Sequence, residues 1–404
     1  MLNITDKTKC SGCGACQQIC PKNCIKMQAD SEGFLYPKVD NNLCIKCGLC
    51  IKICPIINNN PSNKADKIFA AVNKDISVLG QSSSGGMFSV LAENILKQGG
   101  VVFGASFDKN FNVCHTFVED IKNLDSLRRS KYVQSNTGDN FLKAKEFLDK
   151  NRFVLYCGTP CQIAGLVNYL GKDYPKLITA ELICHGTPSP KVWRNFIDEN
   201  IKNINHIASI NFRAKVYKNM SFALLFSFKD GKTWPQINKL KEVAISVCPS
   251  ILKGVLFEKL FYLPFMNGFS RNLYLRPSCH ACSFKSANKY SDFTLADFWG
   301  GQAVVPQLYK LGGTAKVSLL ILNSAKAKNV FEEIKDNLEY QEVDSLQTAV
   351  AQNPCYFKST VSNSKRGKFF ANIDKKPTTK LINKYVKQPF LIRLFRFIIK
   401  NLKK

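Results

Sequence analysis

The sequence lacks long hydrophobic runs and has few acidic residues for its size. No stretch reaches the roughly 18 uninterrupted apolar residues that a membrane-spanning helix needs. Asp and Glu number 30 against 57 Lys and Arg, which gives a formal net charge of +27. A basic surface attracts acidic proteins, anionic membranes or nucleic acid. Nothing in the chain resembles a nucleic-acid-binding module, so we expect no nucleic-acid partner.

No signal peptide is evident either, because the residues before Cys10 are polar. Disulfide scaffolds belong to oxidising compartments, whereas free and metal-binding cysteines are typical of reducing ones. We therefore expect the 17 cysteines to be thiols or metal ligands, and we expect a cytoplasmic protein.

Two cysteine runs of identical spacing occupy the first 55 residues. Each has the form C-x2-C-x2-C-x3-C-P, and the second begins 34 residues after the first. This is the bacterial ferredoxin pattern for two 4Fe-4S clusters, in which the fourth cysteine of each run ligates the other cluster. The predicted ligands are Cys10, Cys13, Cys16 and Cys54 for one cluster, and Cys44, Cys47, Cys50 and Cys20 for the other.

Structural zinc is the competing interpretation of these runs, because C-x2-C pairs also bind zinc. Zinc sites usually combine two separated C-x2-C pairs rather than two four-cysteine runs that each end in proline. The pattern therefore favours iron–sulfur clusters. Cys24 lies outside both runs and is predicted to be a buried thiol.

The rest of the chain has an α/β pattern and a basic end. The 404 residues allow two or three domains. We predict a hairpin between the cysteine runs around a turn at residues 30–33, and antiparallel strands over 207–232 with a turn at 230–231. The apolar stretch 251–265 is predicted to be a core helix. Further strands are predicted at 68–72, 101–105, 153–156, 178–183 and 317–322, and helices at 87–98, 140–149 and 162–170.

Several of the remaining cysteines follow predicted strands. Cys157 and Cys161 follow one strand, Cys184 follows another, and Cys279 and Cys282 form a C-x2-C pair. Because the carboxyl ends of adjacent strands in an α/β sheet meet at one crevice, these residues are candidates for a third metal site. The alternative is that they are single buried cysteines, which pack as small hydrophobic residues.

A serine–glycine loop precedes the predicted helix at 87–98. Hydroxyls, glycines and a helix N-terminus together suit a bound phosphate. The alternative is that the serines only cap the helix. The loop consists of Ser82, Ser83, Ser84, Gly85 and Gly86.

The C-terminal segment carries nearly half of the excess charge. From Lys358 to Lys404 there are 14 Lys or Arg and one acid, Asp374, which gives +13. From Pro389 onward, apolar and basic residues alternate as on an amphipathic helix. Such a helix suits an anionic membrane surface or an acidic partner. A cytoplasmic protein with this helix could bind to the inner face of the membrane. A helix docked on the protein itself is the alternative.

The order of motifs along the chain resembles one family. The ferredoxin-type pair is followed by the motifs at 82–88, 130–135, 158–162, 184–186, 276–282 and 296–300. This succession is similar to the beta subunits of coenzyme F420 hydrogenases and dehydrogenases, over residues 1 to about 350. The resemblance implies a ferredoxin-like domain at 1–57 and an α/β domain in two parts at 68–150 and 151–350. The polar residues 58–67 between them are predicted to be a linker, and the basic helical tail at 351–404 lies outside the resemblance.

The resemblance also implies cofactors and their residues. Relatives bind FAD beside an iron–sulfur cluster, so a third 4Fe-4S cluster is expected on Cys161, Cys184, Cys279 and Cys282, with Cys157 as a substitute ligand. The flavin is expected near the serine–glycine loop, Lys131, Tyr132, Thr159 and Pro160.

Two functional hypotheses follow. The first is an iron–sulfur flavoenzyme that takes electrons from a ferredoxin-like or other donor and exchanges two electrons with F420 or another small conjugated acceptor. Within it, His185 would deliver a proton or only form structural hydrogen bonds, and Lys131 would contact the flavin or remain a solvated surface lysine. The second is a non-catalytic electron carrier docked on a membrane-associated complex.

Overall fold

The computed structural model describes residues 4–214, 223–234, 263–311 and 317–386. Over these ranges the backbone divides into two units. The first unit comprises residues 4–128, 134–187 and 276–360, and the second comprises the described residues of 129–133, 188–275 and 361–386. The predicted boundaries at 57, 67, 150 and 350 stay predictions.

The described residues form strands and helices in alternation through most of the first unit. The strands are β1 (Ile25–Ala29), β2 (Leu35–Val39), β3 (Asn63–Lys64), β4 (Lys67–Asn73), β5 (Val101–Phe107), β6 (Val113–Val118), β7 (Val154–Gly158), β8 (Leu177–Leu182), β9 (Ile207–Ala214), β10 (Ala223–Phe228), β11 (Thr233–Trp234), β12 (Asn288–Lys289), β13 (Phe293–Asp297), β14 (Ser318–Leu322) and β15 (Leu338–Glu342). The α-helices are α1 (Ala15–Gln18), α2 (Leu49–Lys52), α3 (Ile76–Gln81), α4 (Met87–Lys97), α5 (Asn140–Asp149), α6 (Pro160–Leu170), α7 (Pro190–Asn200), α8 (Pro264–Ser270), α9 (Pro306–Leu311), α10 (Ala325–Ile334), α11 (Leu346–Val350), α12 (Arg366–Phe370) and α13 (Thr378–Tyr385).

An eight-stranded mixed sheet is the centre of the first unit. Its strand order is β15-β4-β14-β13-β8-β7-β5-β6. The four strands β13, β8, β7 and β5 run parallel to one another, and the remaining neighbours are antiparallel. The predicted mixed α and β class is confirmed. Because β7 and β8 are parallel neighbours, the segments that follow them leave the sheet at the same edge.

Side chains alternate between the two faces of this sheet, as the two-residue period of a strand requires. Val102 and Leu155 pack in a core with α4 and α10. Phe103 and Tyr156, one residue later on the same strands, pack in a second core with α5 and α6. Cys13 belongs to this second core, so the first cysteine run is built into the face that α5 and α6 cover.

The predicted hairpin between the cysteine runs is confirmed as β1 and β2, which pair antiparallel. Asp30 closes its turn, because its Oδ1 accepts from the backbone N–H groups of Glu32 and Phe34, both at 3.0 Å. Within the predicted linker 58–67, β3 pairs with β12, and the Asn63 side chain donates to the backbone carbonyl of Ser291 at 3.1 Å. Part of the predicted linker therefore has secondary structure and is hydrogen-bonded to residues 288–291.

The second unit has a three-stranded antiparallel sheet, β11-β10-β9. It confirms the antiparallel strands predicted at 207–232 for the described residues 207–214 and 223–232. Ser189 caps α7, since its hydroxyl accepts from the backbone N–H of Val192 at 3.2 Å. The core of this unit is aromatic. The Trp193 ring lies 4.9 Å from the ring of Phe212 and 5.0 Å from the ring of Phe265, centroid to centroid.

Two predicted helices lie largely outside the described residues. Of the stretch 251–265, only 263–265 is described, and there α8 begins at Pro264. The amphipathic helix from Pro389 lies wholly outside the described residues, so its membrane or partner role stays a prediction. Among the helices described, each is too short or too polar to cross a bilayer.

Candidate metal centres and cofactor site

The eight cysteines of the two runs line two separate cavities. Each run leads into a short helix, α1 or α2, through a glycine with a left-handed backbone, Gly14 (φ +81°) or Gly48 (φ +78°). The resulting grouping is the one that the ferredoxin pattern predicts, although ligation by these residues stays a prediction. The first cavity has Cys10, Cys13, Cys16 and Cys54 in its lining, and the second cavity has Cys20, Cys44, Cys47 and Cys50.

The first cavity packs against α5 and α6 of the first unit. Cys13 is 8% exposed, and a Cβ on Gly165 of α6 would lie only 3.0 Å from the Cys13 Sγ. Glycine at this helical position therefore permits the close approach of the cysteine. Burial raises the pKa of Cys13 to about 12, so a metal that binds this thiol has to displace its proton.

The second cavity has a more exposed rim than the first. Cys47 is exposed, and the neighbouring Leu43 and Ile45 are 55% and 58% exposed. Lys22 and Lys46 line the same cavity, and neither forms an ion pair with another described residue. This rim is thus partly apolar and carries uncompensated positive charge within the part of the chain that the structure describes.

Cys24 is confirmed as a buried thiol, with 4% of its surface exposed. It lines the second cavity, and its Sγ lies 3.3 Å from the Sγ of Cys20. In the described residues no three Cys, His, Asp or Glu side chains surround the position of a single metal ion. A four-iron cluster is larger than one ion, so its ligands stand farther apart.

A third cavity combines residues from distant parts of the chain. It has about 530 Å³ of empty space, and Cys161, Cys184, Cys279 and Cys282 all line it. Cys161 follows β7 and Cys184 follows β8, so the parallel pairing of these strands brings both to one sheet edge. The other two cysteines come from the 3₁₀ helix Pro277–Ala281 and its end.

Hydrogen bonds and a lysine surround these four thiols. The Thr187 backbone N–H donates to the Cys279 Sγ at 3.4 Å, and the Thr159 hydroxyl lies 3.2 Å from the Cys161 Sγ. Burial raises the pKa of Cys184 to about 12, and the Lys285 ammonium opposes that rise. Donors and a nearby cation favour the thiolate, which is the form that binds metal.

Sequence reasoning missed Lys285, which lines the third cavity, and Cys355, which contacts two residues of its lining. The Lys285 Nζ donates to the backbone carbonyl oxygens of Cys184 and Cys355, at 2.5 Å for the latter. The Cys355 Sγ lies 3.5 Å from the Nδ1 of His185. Lys285 comes three residues after the C-x2-C pair, so its position could have marked it as a neighbour of a metal site. No local pattern in the sequence marks Cys355.

His185 lines the third cavity beside Cys184, as its position in the chain suggested. Cys157 does not. It is 9% exposed, belongs to the core formed with α4 and α10, and its carbonyl oxygen lies 3.1 Å from the Nε2 of His115. Side chains alternate along β7, and Cys157 is on the face of the sheet that α4 and α10 cover. Cys157, the expected substitute ligand, therefore packs in this core and does not line the third cavity.

The serine–glycine loop joins α3 to α4. A Cβ on Gly85 would lie 2.5 Å from the carbonyl oxygen of Ala71, so packing against β4 requires glycine there. The N-cap of α4 is Gly86, with φ +84° and no side-chain hydrogen bond, and the Ser82 hydroxyl donates to the Val78 carbonyl oxygen. Capping of α4 by a serine side chain, the simpler alternative, is therefore wrong. The phosphate site stays a prediction.

The remaining predicted flavin residues fall in both units. Thr159 and Pro160 belong to the first unit, where Thr159 precedes α6 and donates from its backbone N–H to the Gln162 Oε1 at 3.0 Å, and Pro160 lines the third cavity. Lys131 and Tyr132 belong to the second unit. The Tyr132 ring stacks on the Phe269 ring, with centroids 4.7 Å apart.

Comparison with known proteins gives two family matches. Residues 9–57 match the "4Fe-4S dicluster domain", and residues 151–346 match the C-terminal part of the beta subunit of coenzyme F420 hydrogenase/dehydrogenase. A solved structure, the F420-reducing [NiFe] hydrogenase complex from Methanosarcina barkeri, contains a similar chain at 13% identity and a TM-score of 0.44, with 72% of this chain and 88% of that chain covered. No protein of curated function matches the sequence. Residues 151–346 therefore belong to the coenzyme F420 hydrogenase/dehydrogenase beta-subunit family, and residues 9–57 form a 4Fe-4S dicluster domain ahead of them.

Proposed function

We propose that this protein is an iron–sulfur flavoprotein oxidoreductase, which passes electrons between a protein donor and a small two-electron acceptor. The observation that carries the proposal is the adjacency of two cysteine-lined cavities in the first unit. Ser11 and Ile56 line both the first and the third cavity. A dicluster domain that only served as a separate carrier has no need of a further four-cysteine cavity against its wall.

The third cavity would hold a third 4Fe-4S cluster on Cys161, Cys184, Cys279 and Cys282. Support comes from their shared lining of one cavity, from the Thr187 N–H donor to the Cys279 Sγ, and from the Lys285 ammonium beside Cys184. Iron–sulfur clusters exchange single electrons, and a bound flavin exchanges one or two.

The flavin would be FAD, held in the first unit by the serine–glycine loop with Thr159 and Pro160. The acceptor would be F420 or another small conjugated molecule, in keeping with the family description. His185 would supply a proton from the wall of the third cavity, where its Nδ1 lies 3.5 Å from the Cys355 Sγ.

The electron donor would be an acidic protein that docks on the rim of the second cavity. Exposed Cys47, Leu43 and Ile45 bring the protein surface close to a ligand of that cavity. Lys22 and Lys46 on the same rim attract negative charge. The first cavity is a less accessible point of contact, because Cys13 is only 8% exposed.

The test is cofactor content after anaerobic reconstitution. We expect about twelve irons per chain and one extractable FAD. Cys161→Ala should lose about four irons, whereas the matched Cys157→Ala should lose none, because Cys157 lies outside the third cavity.

Other outcomes would contradict the proposal in separate ways. About eight irons in the unsubstituted protein, unchanged in Cys161→Ala, would remove the third cluster. Full iron content without flavin would favour the non-catalytic carrier. Iron and flavin together, with no oxidation or reduction of F420 or NAD(P)H, would leave the cofactors in place and exclude those acceptors.

A further inference from the structure

A fully buried arginine joins the dicluster domain to the motif that carries Cys279. Arg276 has 0% of its surface exposed, and it lies directly before the 3₁₀ helix Pro277–Ala281. We propose that Arg276 is a positioning residue that raises the reduction potential of the cluster in the first cavity. This inference goes beyond the proposed function, because it needs only the dicluster domain and neither the flavin nor a third cluster.

The guanidinium of Arg276 donates hydrogen bonds to the first cysteine run and to residues that pack beside it. The Nε donates to the carbonyl oxygen of Cys10 at 2.8 Å, and the Nη2 donates to the carbonyl oxygen of Leu35 at 2.9 Å. The Nη1 donates to the Gln134 Oε1 at 2.9 Å. The Nη2 also lies 3.6 Å from the Cys10 Sγ, which is a hydrogen bond to a predicted cluster ligand.

Arg276 has aromatic neighbours rather than a carboxylate partner within the described residues. No Asp or Glu described by the structure forms an ion pair with it, and the Tyr36 and Phe34 ring centroids lie 4.2 Å and 5.5 Å from the guanidinium carbon. Buried charges in proteins are normally paired, because an isolated charge is costly to desolvate. The Cys10 sulfur becomes negative when it binds iron, so the metal-loaded first cavity supplies the missing counter-charge.

A fixed cation beside a ligand changes the energy of reduction. Reduction adds one negative charge to a cluster, and both a nearby positive charge and an N–H donor to the ligand sulfur stabilise that added charge. Water screens charges at the second cavity, where Lys22 and Lys46 are exposed. The effect of Arg276 should therefore fall on the first cavity and not on the second.

The first cysteine run also packs closely around the Arg276 guanidinium, at Gly12. A Cβ on Gly12 would lie 2.8 Å from the Arg276 Nη1 and 2.8 Å from the Gln134 Nε2. Gly12 has φ +71°, so its conformation and its lack of a side chain both admit the guanidinium. The loop between Cys10 and Cys13 is thus shaped around Arg276.

The test is an anaerobic redox titration of the reconstituted full chain, followed by electron paramagnetic resonance. Arg276→Gln should shift one of the two N-terminal cluster signals to a lower midpoint potential, and Arg276→Lys should shift the same signal by less because the charge remains. Arg152→Gln is the control, because Arg152 also donates to backbone carbonyl oxygens but has Glu119 as its partner. The signal is assigned to the first cavity by its loss in Cys13→Ala and its retention in Cys47→Ala.

Three results would overturn the proposal. The first is an unchanged midpoint potential in Arg276→Gln with full iron content. The second is an equal shift of both signals, which would indicate a general loosening of the domain. The third result applies if Arg276→Gln fails to retain iron in the first cavity, so that only Arg276→Lys can be measured. A midpoint potential in Arg276→Lys equal to that of the unsubstituted protein would then overturn the proposal, whereas a lower one would support it.

Discussion

The first and second cavities come from the same sequence pattern but have different surroundings. Their cysteine spacings are identical, and Gly14 and Gly48 at the matching positions have almost the same φ, +81° and +78°. The first cavity packs on α5 and α6 with Cys13 in the core, whereas the second leaves Cys47 exposed. A repeat in sequence therefore repeats the local backbone and not the environment.

The different surroundings of the two cavities suit different steps of electron transfer. A cavity with an exposed cysteine in its lining suits exchange of electrons with another protein, because the distance for electron transfer through the protein is short. A cavity that packs on α5 and α6 suits exchange within the chain, and there buried groups set the local charge, as Arg276 does beside Cys10. Matched substitutions in the two runs test the contrast directly.

The largest expected effect comes from removing one ligand in each run. Cys13→Ala and Cys47→Ala should each lose about four irons, but only Cys13→Ala should markedly lower the thermal midpoint of the whole first unit. The reason is that Cys13 packs with Phe141 and Tyr156 in the core of the sheet domain, so binding of metal there is coupled to folding of that core. Iron analysis and calorimetry under anaerobic conditions measure both quantities; equal losses of stability would contradict the contrast.

A smaller effect is expected from the matched glycines. Gly14→Ala and Gly48→Ala should each cost about 1 kcal/mol, because both glycines have left-handed backbones. Gly14→Ala should cost a further 1–3 kcal/mol or so, since its Cβ would lie 2.5 Å from the Thr137 Oγ1, while no described atom lies within 4 Å of a Cβ on Gly48. Denaturant unfolding of the two variants gives the difference. A difference of zero would mean that the dicluster domain does not pack on Thr137 in solution.

The smallest effect is expected at the rim of the second cavity. Replacing Lys22 and Lys46 by Glu should slow reduction by an acidic one-electron carrier protein about tenfold at low salt, because the rim would then repel the carrier. The matched control, Lys109→Glu with Lys122→Glu, changes the net charge equally on exposed residues elsewhere. Stopped-flow absorbance measures both. Equal slowing in the two variants, or equal slowing with a small reductant such as dithionite, would exclude a docking site at this rim.

Local structure was largely predictable from the sequence. The helix predicted at 140–149 has those bounds as α5, and the predicted strands at 68–72 and 178–183 correspond to β4 and β8 within one residue at each end. Periodicity, turn residues and capping residues act over a few positions, so a sequence displays them directly. The helix α10 and the strand β15 were not predicted, although α10 has ten residues and Ser324 as its N-cap.

The sequence by itself determined the grouping of the eight N-terminal cysteines, because spacing along a short chain limits which thiols can meet around one cavity. It also determined that cysteines follow β7 and β8. Only the tertiary structure decided that Cys161 and not Cys157 lines the third cavity, that Cys355 lies beside His185, and that Arg276 is buried against Cys10 with no carboxylate partner among the described residues. These outcomes depend on which face of a strand a residue occupies and on contacts between segments far apart in the chain, and the spacing of cysteines carries no information about either.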